Sequence, residues 1–306
     1  MRRLLGMLGL MAVTALLSGC LEDRTVVKLK KDGSGTLTKE VYMSPQITTM
    51  MEQMAAGMEQ MATGMAAGIA SAGDAAAKPA AAGTAKPAAP VDPLAMFKED
   101  IKKRTAELGP DATLEGQVAK TNAKGWKGYL LTYRFTDIRK LRLTMGDKGT
   151  MGEKDSPGNA EKSETNKPPL YVVFRTTPLP ALLLRQPAAT QVRKEPKAKA
   201  EGEANVTMGA EAMPAAMLGP MLQGMRISFV IEVDGKITRS NSNYLQGDNR
   251  VTLLDLPMDK VLGNAQGLKL LEGDTDDPAM LKKLRDLKID GLAIEDMERG
   301  IAIEWQ

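Results

Sequence analysis

Apolar and polar residues alternate with a period of two over several short stretches, and glycine-containing turns separate them, which is the pattern of antiparallel strands. Val26–Lys31 and Thr36–Met43 flank Asp32-Gly33-Ser34-Gly35, with Val27 and Leu29 on one face and Lys28 and Lys30 on the other, so a hairpin is predicted. Thr113–Lys120 and Lys127–Phe135 make a second hairpin around Asn122-Ala123-Lys124-Gly125. On its second strand Tyr129, Leu131, Tyr133 and Phe135 share one face, the most aromatic surface of the chain. Leu170–Arg175 opens as a continuous apolar run, the pattern of a central strand buried on both sides. Ile227, Phe229, Ile231 and Val233 alternate with Arg226, Ser228 and Glu232. Asp234-Gly235 then signals a two-residue turn, Lys236–Ser240 a returning strand, and Gly247-Asp248-Asn249 a turn into Arg250–Leu254. This stretch predicts a three-stranded antiparallel meander. Leu141–Thr144, Leu292–Ile294 and Ile301–Trp305 read as further strands.

The period changes elsewhere. Ser44-Pro45 opens a helix running to about Ile69, on which Met50, Met54, Met58, Met61 and Met65 form a one-sided stripe. Asp92-Pro93 opens another to Leu108, with Leu94, Phe97, Ile101 and Leu108 on one side and Gly109-Pro110 as its stop. Met213, Met217 and Met221 repeat the methionine spacing, limited by Pro220. Thr136-Asp137 caps a short helical turn, Leu256–Leu262 is a short helix, and Asp277-Pro278 supplies N-cap and N1 of a helix to Leu287. The segment 71–92 is an Ala/Pro/Gly/Lys linker, and the polar inserts 146–168 and 186–207 are predicted disordered. The expectation is an α+β fold of eight to ten antiparallel strands and four or five helices. The hairpins 25–43, 113–135 and 226–254 frame it. An N-terminal half, 20–145, and a C-terminal half, 169–306, contribute to one sheet system.

Composition narrows the chemistry. The chain has no histidine, which excludes His-dependent triads, His metal sites and imidazole proton shuttles. With four Phe, two Trp and five Tyr against 21 Met, the core must be built from aliphatic residues and methionine. Loss of Arg2 and Arg3 with residues 1–19 would lower the net charge from +3 to +1, so nothing electrostatic points to nucleic acid.

The first twenty residues decide the compartment. Arg2 and Arg3 precede an apolar run, Leu4–Leu17, that is shorter than the ~20 residues a bilayer needs. Small residues then lead into the chain's single cysteine in Leu17-Ser18-Gly19-Cys20. This resembles a bacterial lipoprotein signal peptide with its lipobox. The resemblance implies that residues 1–19 are removed, that Cys20 carries a thioether-linked diacylglyceryl group, and that it is the acylated mature N-terminus. With its one cysteine so used, the chain has none left for a disulfide. Leu21 follows where enteric-type bacteria place the Asp that retains lipoproteins in the inner membrane, which favours the outer membrane, facing the periplasm.

The run from Phe229 to Asn241, FVIEVDGKITRSN, followed by Gly247-Asp248-Asn249-Arg250-Val251-Thr252-Leu253, resembles the LppM-type domain of bacterial envelope lipoproteins. That family carries a similar strand, a Pro-Gly-Lys-Val turn, Ser-Asn, and Gly-Asn-x-Val-x-Trp. Here Asp234 replaces the Pro and Leu253 the Trp. The resemblance implies an α+β envelope domain that binds lipid or glycolipid, and it supplies no catalytic residues.

Alternatives remain for the chemistry. Met51/Met54 and Met58/Met61 make Met-x-x-Met pairs, whose soft thioethers suit Cu(I), against a plastic apolar face packed on a sheet or partner, or contact with lipid. The 32–35 loop lacks two of the carboxylates a calcium loop requires, so a plain turn is the better reading. Asp274, Asp276 and Asp277 are better explained by a helix start than by a metal. The chain carries no Gly-x-Ser-x-Gly elbow, while two neighbouring carboxylates would suffice for glycoside hydrolysis. The expectation is a non-enzymatic envelope module without cofactor. Its partners are the membrane, through the anchor, and a lipid, glycolipid or envelope protein. A copper carrier and a carboxylate hydrolase are the competing classes. The proposed ligand-binding residues are Tyr129, Leu131, Tyr133 and Phe135, beside a Met/Ala helix that could repack around an acyl chain.

Overall fold

The structure, a computed structural model, describes residues 21–46, 48–49, 98–145, 169–187, 222–271 and 279–306. It is an α+β fold with mostly antiparallel pairing. Cys20, the methionine stripe 50–65, the linker 71–92, Met213, Met217 and Met221, the aspartates 274–277, the insert 146–168 and residues 188–207 of the second insert lie outside the described residues.

The first predicted hairpin forms from β1 (Leu21–Leu29) and β2 (Gly35–Met43). Its alternation is as expected: Val27 and Leu29 are buried while Lys28 is exposed. The turn is fixed by Asp32, whose carboxylate accepts hydrogen bonds from the Ser34 backbone N–H at 2.9 Å and the Ser34 hydroxyl at 2.7 Å. The second hairpin pairs β3 (Thr113–Thr121) with β4 (Lys127–Phe135), and β4 joins β2 from Gly35↔Phe135 to Met43↔Lys127. Before it, α1 (Lys98–Glu107) buries Ile101. Gly109, with φ of +105°, ends that segment in a conformation glycine adopts without strain. Asp137 caps the predicted helical turn, Ile138–Lys140, by accepting from the Arg139 N–H.

Leu141–Thr144 is extended and buries Leu141 and Leu143, but it is not a ladder strand. It is tied to the sheet region by the Leu170 N–H donating to the Leu143 carbonyl. β5 (Tyr171–Arg175) corrects a second expectation. Among the described residues it is the edge of a four-stranded sheet rather than a central strand, and pairs there only with β6 (Ala181–Arg185), a strand the sequence reading missed. Two-sided apolarity suggested two-sided burial, yet the outer face of this sheet is open.

The third predicted unit is also corrected. β7 (Arg226–Val233) does not pair with β8 (Ile237–Ser240), so there is no meander. β7 runs parallel to β1 and antiparallel to β10 (Arg250–Pro257), at the middle of the large sheet. That position explains why Val230 is buried as well as Phe229 and Ile231. β8 crosses to the second sheet and pairs with β12 (Ile301–Trp305). The short β9 (Leu245–Gln246) takes the hairpin place beside β10 across Gly247-Asp248-Asn249. A bulge between Thr252 and Leu254 inserts Leu253 as an extra, fully buried residue.

β10 leads directly into α2 (Met258–Leu262) and α3 (Ala265–Leu271), the second of which had no clear signal in the sequence. α4 (Met280–Asp286) has Ala279 at its N-cap, while Asp277 and Pro278 lie outside the described residues. β11 (Ala293–Ile294) closes the large sheet against β10. The sheet orders are β11-β10-β7-β1-β2-β4-β3, with β9 on β10, and β5-β6-β12-β8. The described residues therefore hold twelve strands, more than the eight to ten expected. One apolar cluster runs through both sheets, from Tyr129 and Ile231 to Leu184, Ile303 and Trp305. Each such side chain is worth ~1.5–3 kcal/mol when fully buried.

Candidate functional site

Tyr129, Leu131, Tyr133 and Phe135 share one face of β4, as predicted, but that face is the core: none is more than 2% exposed. No ligand reaches them in this conformation. The other marked residues of the C-terminal third also hold structure. The Asn241 side chain accepts from the Ala302 N–H at 2.7 Å and donates to the Gly300 carbonyl at 2.9 Å, and the Ser240 hydroxyl donates to the Ala302 carbonyl at 3.0 Å. The Ser-Asn pair thus fastens β8 to β12. Glu295, almost fully buried, accepts from the Ser242 hydroxyl and from the backbone N–H groups of Asn243 and Tyr244.

Other carboxylates are similarly committed. Asp111 accepts from the Thr136 hydroxyl and from the Thr136 and Asp137 N–H groups. The Thr136 hydroxyl bond is the main reason its carboxyl is held below the usual carboxylate range. Asp137 is lowered chiefly by the guanidinium of Arg139. Among the described residues no group of three or more Cys, Asp or Glu is placed to hold a metal ion. An open groove between Tyr244 and the 284–294 segment has a volume of about 240 Å³ and is lined in part by Arg285, Lys288 and Asp290. That is below the ~300–1,000 Å³ of small-molecule sites.

Among the described residues, exposed apolar side chains gather on the outer face of the second sheet. Register places Val173 opposite Leu183, Leu183 opposite Ala302, and Tyr171 opposite Arg185. Tyr171 is 60% exposed, Val173 40% and Leu183 37%. The inner side chains of the same strands are packed: Leu182, Leu184 and Ile303 are buried, and the Phe174 and Trp305 rings lie 6.0 Å apart between centroids. Strands β5 and β6 are therefore apolar on both sides, with one side uncovered. Arginines surround that open centre. Arg175 pairs with Glu304 at 2.6 Å, Arg185 donates to the Glu298 backbone carbonyl at 3.0 Å, and Arg239 lies opposite Glu304. Of these three guanidiniums only that of Arg175 is paired with a carboxylate, Glu304. Neighbouring apolar groups with a cationic border fit an amphiphilic, anionic ligand. Sequence reasoning missed this site, because an uninterrupted apolar run does not show which of its faces is left open.

No helix among the described residues is long and apolar enough to cross a membrane. No family model matches the chain, and no curated protein matches it. Among solved structures, the NMR structure of the folded domain of LppM from Mycobacterium tuberculosis is similar over 77% of this chain and 83% of that one. The sequence identity is 7% and the TM-score 0.26.

Proposed function

We propose that the chain is a lipoprotein of the bacterial cell envelope, anchored through Cys20, that acts by binding rather than by catalysis. The recognition surface is the outer face of the second sheet. The observation that carries this reading is the exposed set Tyr171, Val173 and Leu183 bordered by Arg175, Arg185 and Arg239. Such a face suits a lipid or glycolipid with an anionic head: the apolar part covers Val173 and Leu183 while guanidiniums meet the head. The lipobox pattern at Leu17-Ser18-Gly19-Cys20 supports the anchor, and Leu21 after it supports the periplasmic side of the outer membrane.

The chain from Leu21 to Gln306 is expected to bind a fluorescent fatty acid saturably, with roughly micromolar affinity. Leu183→Asp should abolish that binding and leave thermal unfolding close to the parent, because Leu183 already faces solvent. Tyr133→Ala, a core change, should instead lower stability first. Absence of saturable binding by the folded chain, or binding indifferent to Leu183→Asp, would overturn the assignment of this face.

A further inference from the structure

Resting on the Cys20 anchor just proposed, we infer that the turn between β3 and β4, with Lys124 and Lys127, lies on the anionic phospholipid headgroups of the anchoring membrane. No spacer separates Cys20 from the first strand. Leu21 already belongs to β1, paired with Met43, and is separated from Cys20 by one peptide bond. Adjacent Cα atoms are about 3.8 Å apart, so an acylated Cys20 at the bilayer surface brings this end of the sheet to headgroup level. A flexible tether would leave the orientation open, but none intervenes.

The residues beside Leu21 are fixed by register. Met43 pairs with Leu21 on one side and with Lys127 on the other, and Lys127 pairs with Thr121. With strands about 4.8 Å apart, Lys127 stands roughly 10 Å from the chain's point of attachment. The turn that follows Thr121 is bound to the first residues of β1. Asn122 donates from its side-chain amide to Glu22 Oε2 at 3.3 Å. The Asn122 Oδ1 accepts from the N–H groups of Lys124 at 2.9 Å and Trp126 at 3.0 Å. Lys124 lies over the Trp126 ring, 4.5 Å from its centroid.

Charge at this end favours an anionic surface. Glu22 keeps its negative charge, which acts on the guanidinium of Arg226, and Glu40 is shared by Arg24 and Lys120. Lys124 and Lys127 are exposed and have no carboxylate partner among the described residues. Lysines held at the membrane surface are attracted by anionic lipid, and they strengthen attachment by an acyl group. The recognition face sits at the opposite end. β1 spans nine residues, about 30 Å at ~3.3 Å per residue, and Gly33 beyond its far end lies against the Phe174 ring of β5. Anchor and recognition face thus occupy opposite poles, which turns the binding face away from the membrane that holds the protein.

The lipidated full-length protein provides the test. Its single cysteine is the anchor, so a thiol introduced by Ala123→Cys, or by Val173→Cys as control, is the only one available to a polarity-sensitive fluorophore. The proteins are reconstituted into vesicles containing anionic phospholipid and headgroup-labelled quencher lipid. The label at position 123 should lose most of its emission and that at 173 little. Adding Lys124→Glu and Lys127→Glu should restore emission at 123 to the level found in purely zwitterionic vesicles. A chain that floats with vesicles but shows unquenched label at 123, or quenching indifferent to the charge reversals, overturns this inference alone. A chain that does not float overturns the anchor and this inference together.

Discussion

Trp305→Ala is expected to destabilise the fold by about 3–5 kcal/mol, the range for removing a large buried aromatic side chain. Trp305 is fully buried on β12, the strand that joins β6 to β8, and its ring lies against Phe174. The cavity left by alanine would sit where the second sheet meets the common core. Urea unfolding at neutral pH should show a lower midpoint with an unchanged slope. Trp305→Phe separates packing from polarity. The indole N–H has no hydrogen-bond partner among the described residues, so phenylalanine gives up no hydrogen bond and should cost far less than alanine. Equal losses in the two variants would mean that the aromatic contact is not what holds the sheet.

Glu295→Ala is the second large effect, expected at roughly 2–4 kcal/mol. The carboxylate accepts from Ser242 Oγ and from the N–H groups of Asn243 and Tyr244 at 2.8 and 3.3 Å. Alanine leaves the Ser242 hydroxyl and the Asn243 N–H without this acceptor, and the Tyr244 N–H with Ser242 Oγ alone at 3.0 Å, beneath the loop that carries the chain from β8 to β9. Backbone amides of Asn243 and Tyr244 should exchange with deuterium much faster in the variant, while those of β1 and β2 should be less affected. Glu295→Gln keeps an acceptor oxygen in place and should recover most of the protection. If Glu295→Ala unfolds at the same denaturant concentration as the parent, the carboxylate is not the staple of this loop.

These two residues also show what could be read from the sequence. Alternation in β1, β2, β4 and β7 was visible because one polar face marks each period, and within the hairpins β1–β2 and β3–β4 the pairing follows from the turn. Pairing between distant strands was not visible. Asp234-Gly235 reads as a hairpin turn, yet Gly235 has φ of +138° and lies so close to the Gln306 carbonyl that any Cβ would collide with it. The glycine therefore serves the approach of β12, and β8 leaves for the second sheet, where Asn241 fastens it. Nothing local in the sequence distinguishes those two uses of a glycine.

The candidate site was the least legible part for a related reason. Ala181-Leu182-Leu183-Leu184-Arg185 buries Leu182 and Leu184 and exposes Leu183, but three leucines in a row carry no period. The same holds for Val172 and Val173 on β5. An exposed apolar face is therefore indistinguishable, in sequence, from a strand buried on both sides. The aromatic face of β4 was found for the opposite reason, and its clear period is the mark of ordinary core.

The compartment, the orientation of the sheet and the direction of the binding face all follow from the state of Cys20. Intact-mass spectrometry of the protein extracted from bacterial membranes with detergent tests this directly. The mature chain should begin at Cys20 and carry the added mass of a diacylglyceryl thioether with further acylation of the new amino group. A mature chain that retains residues 1–19, or one that begins at an unmodified cysteine, would contradict it.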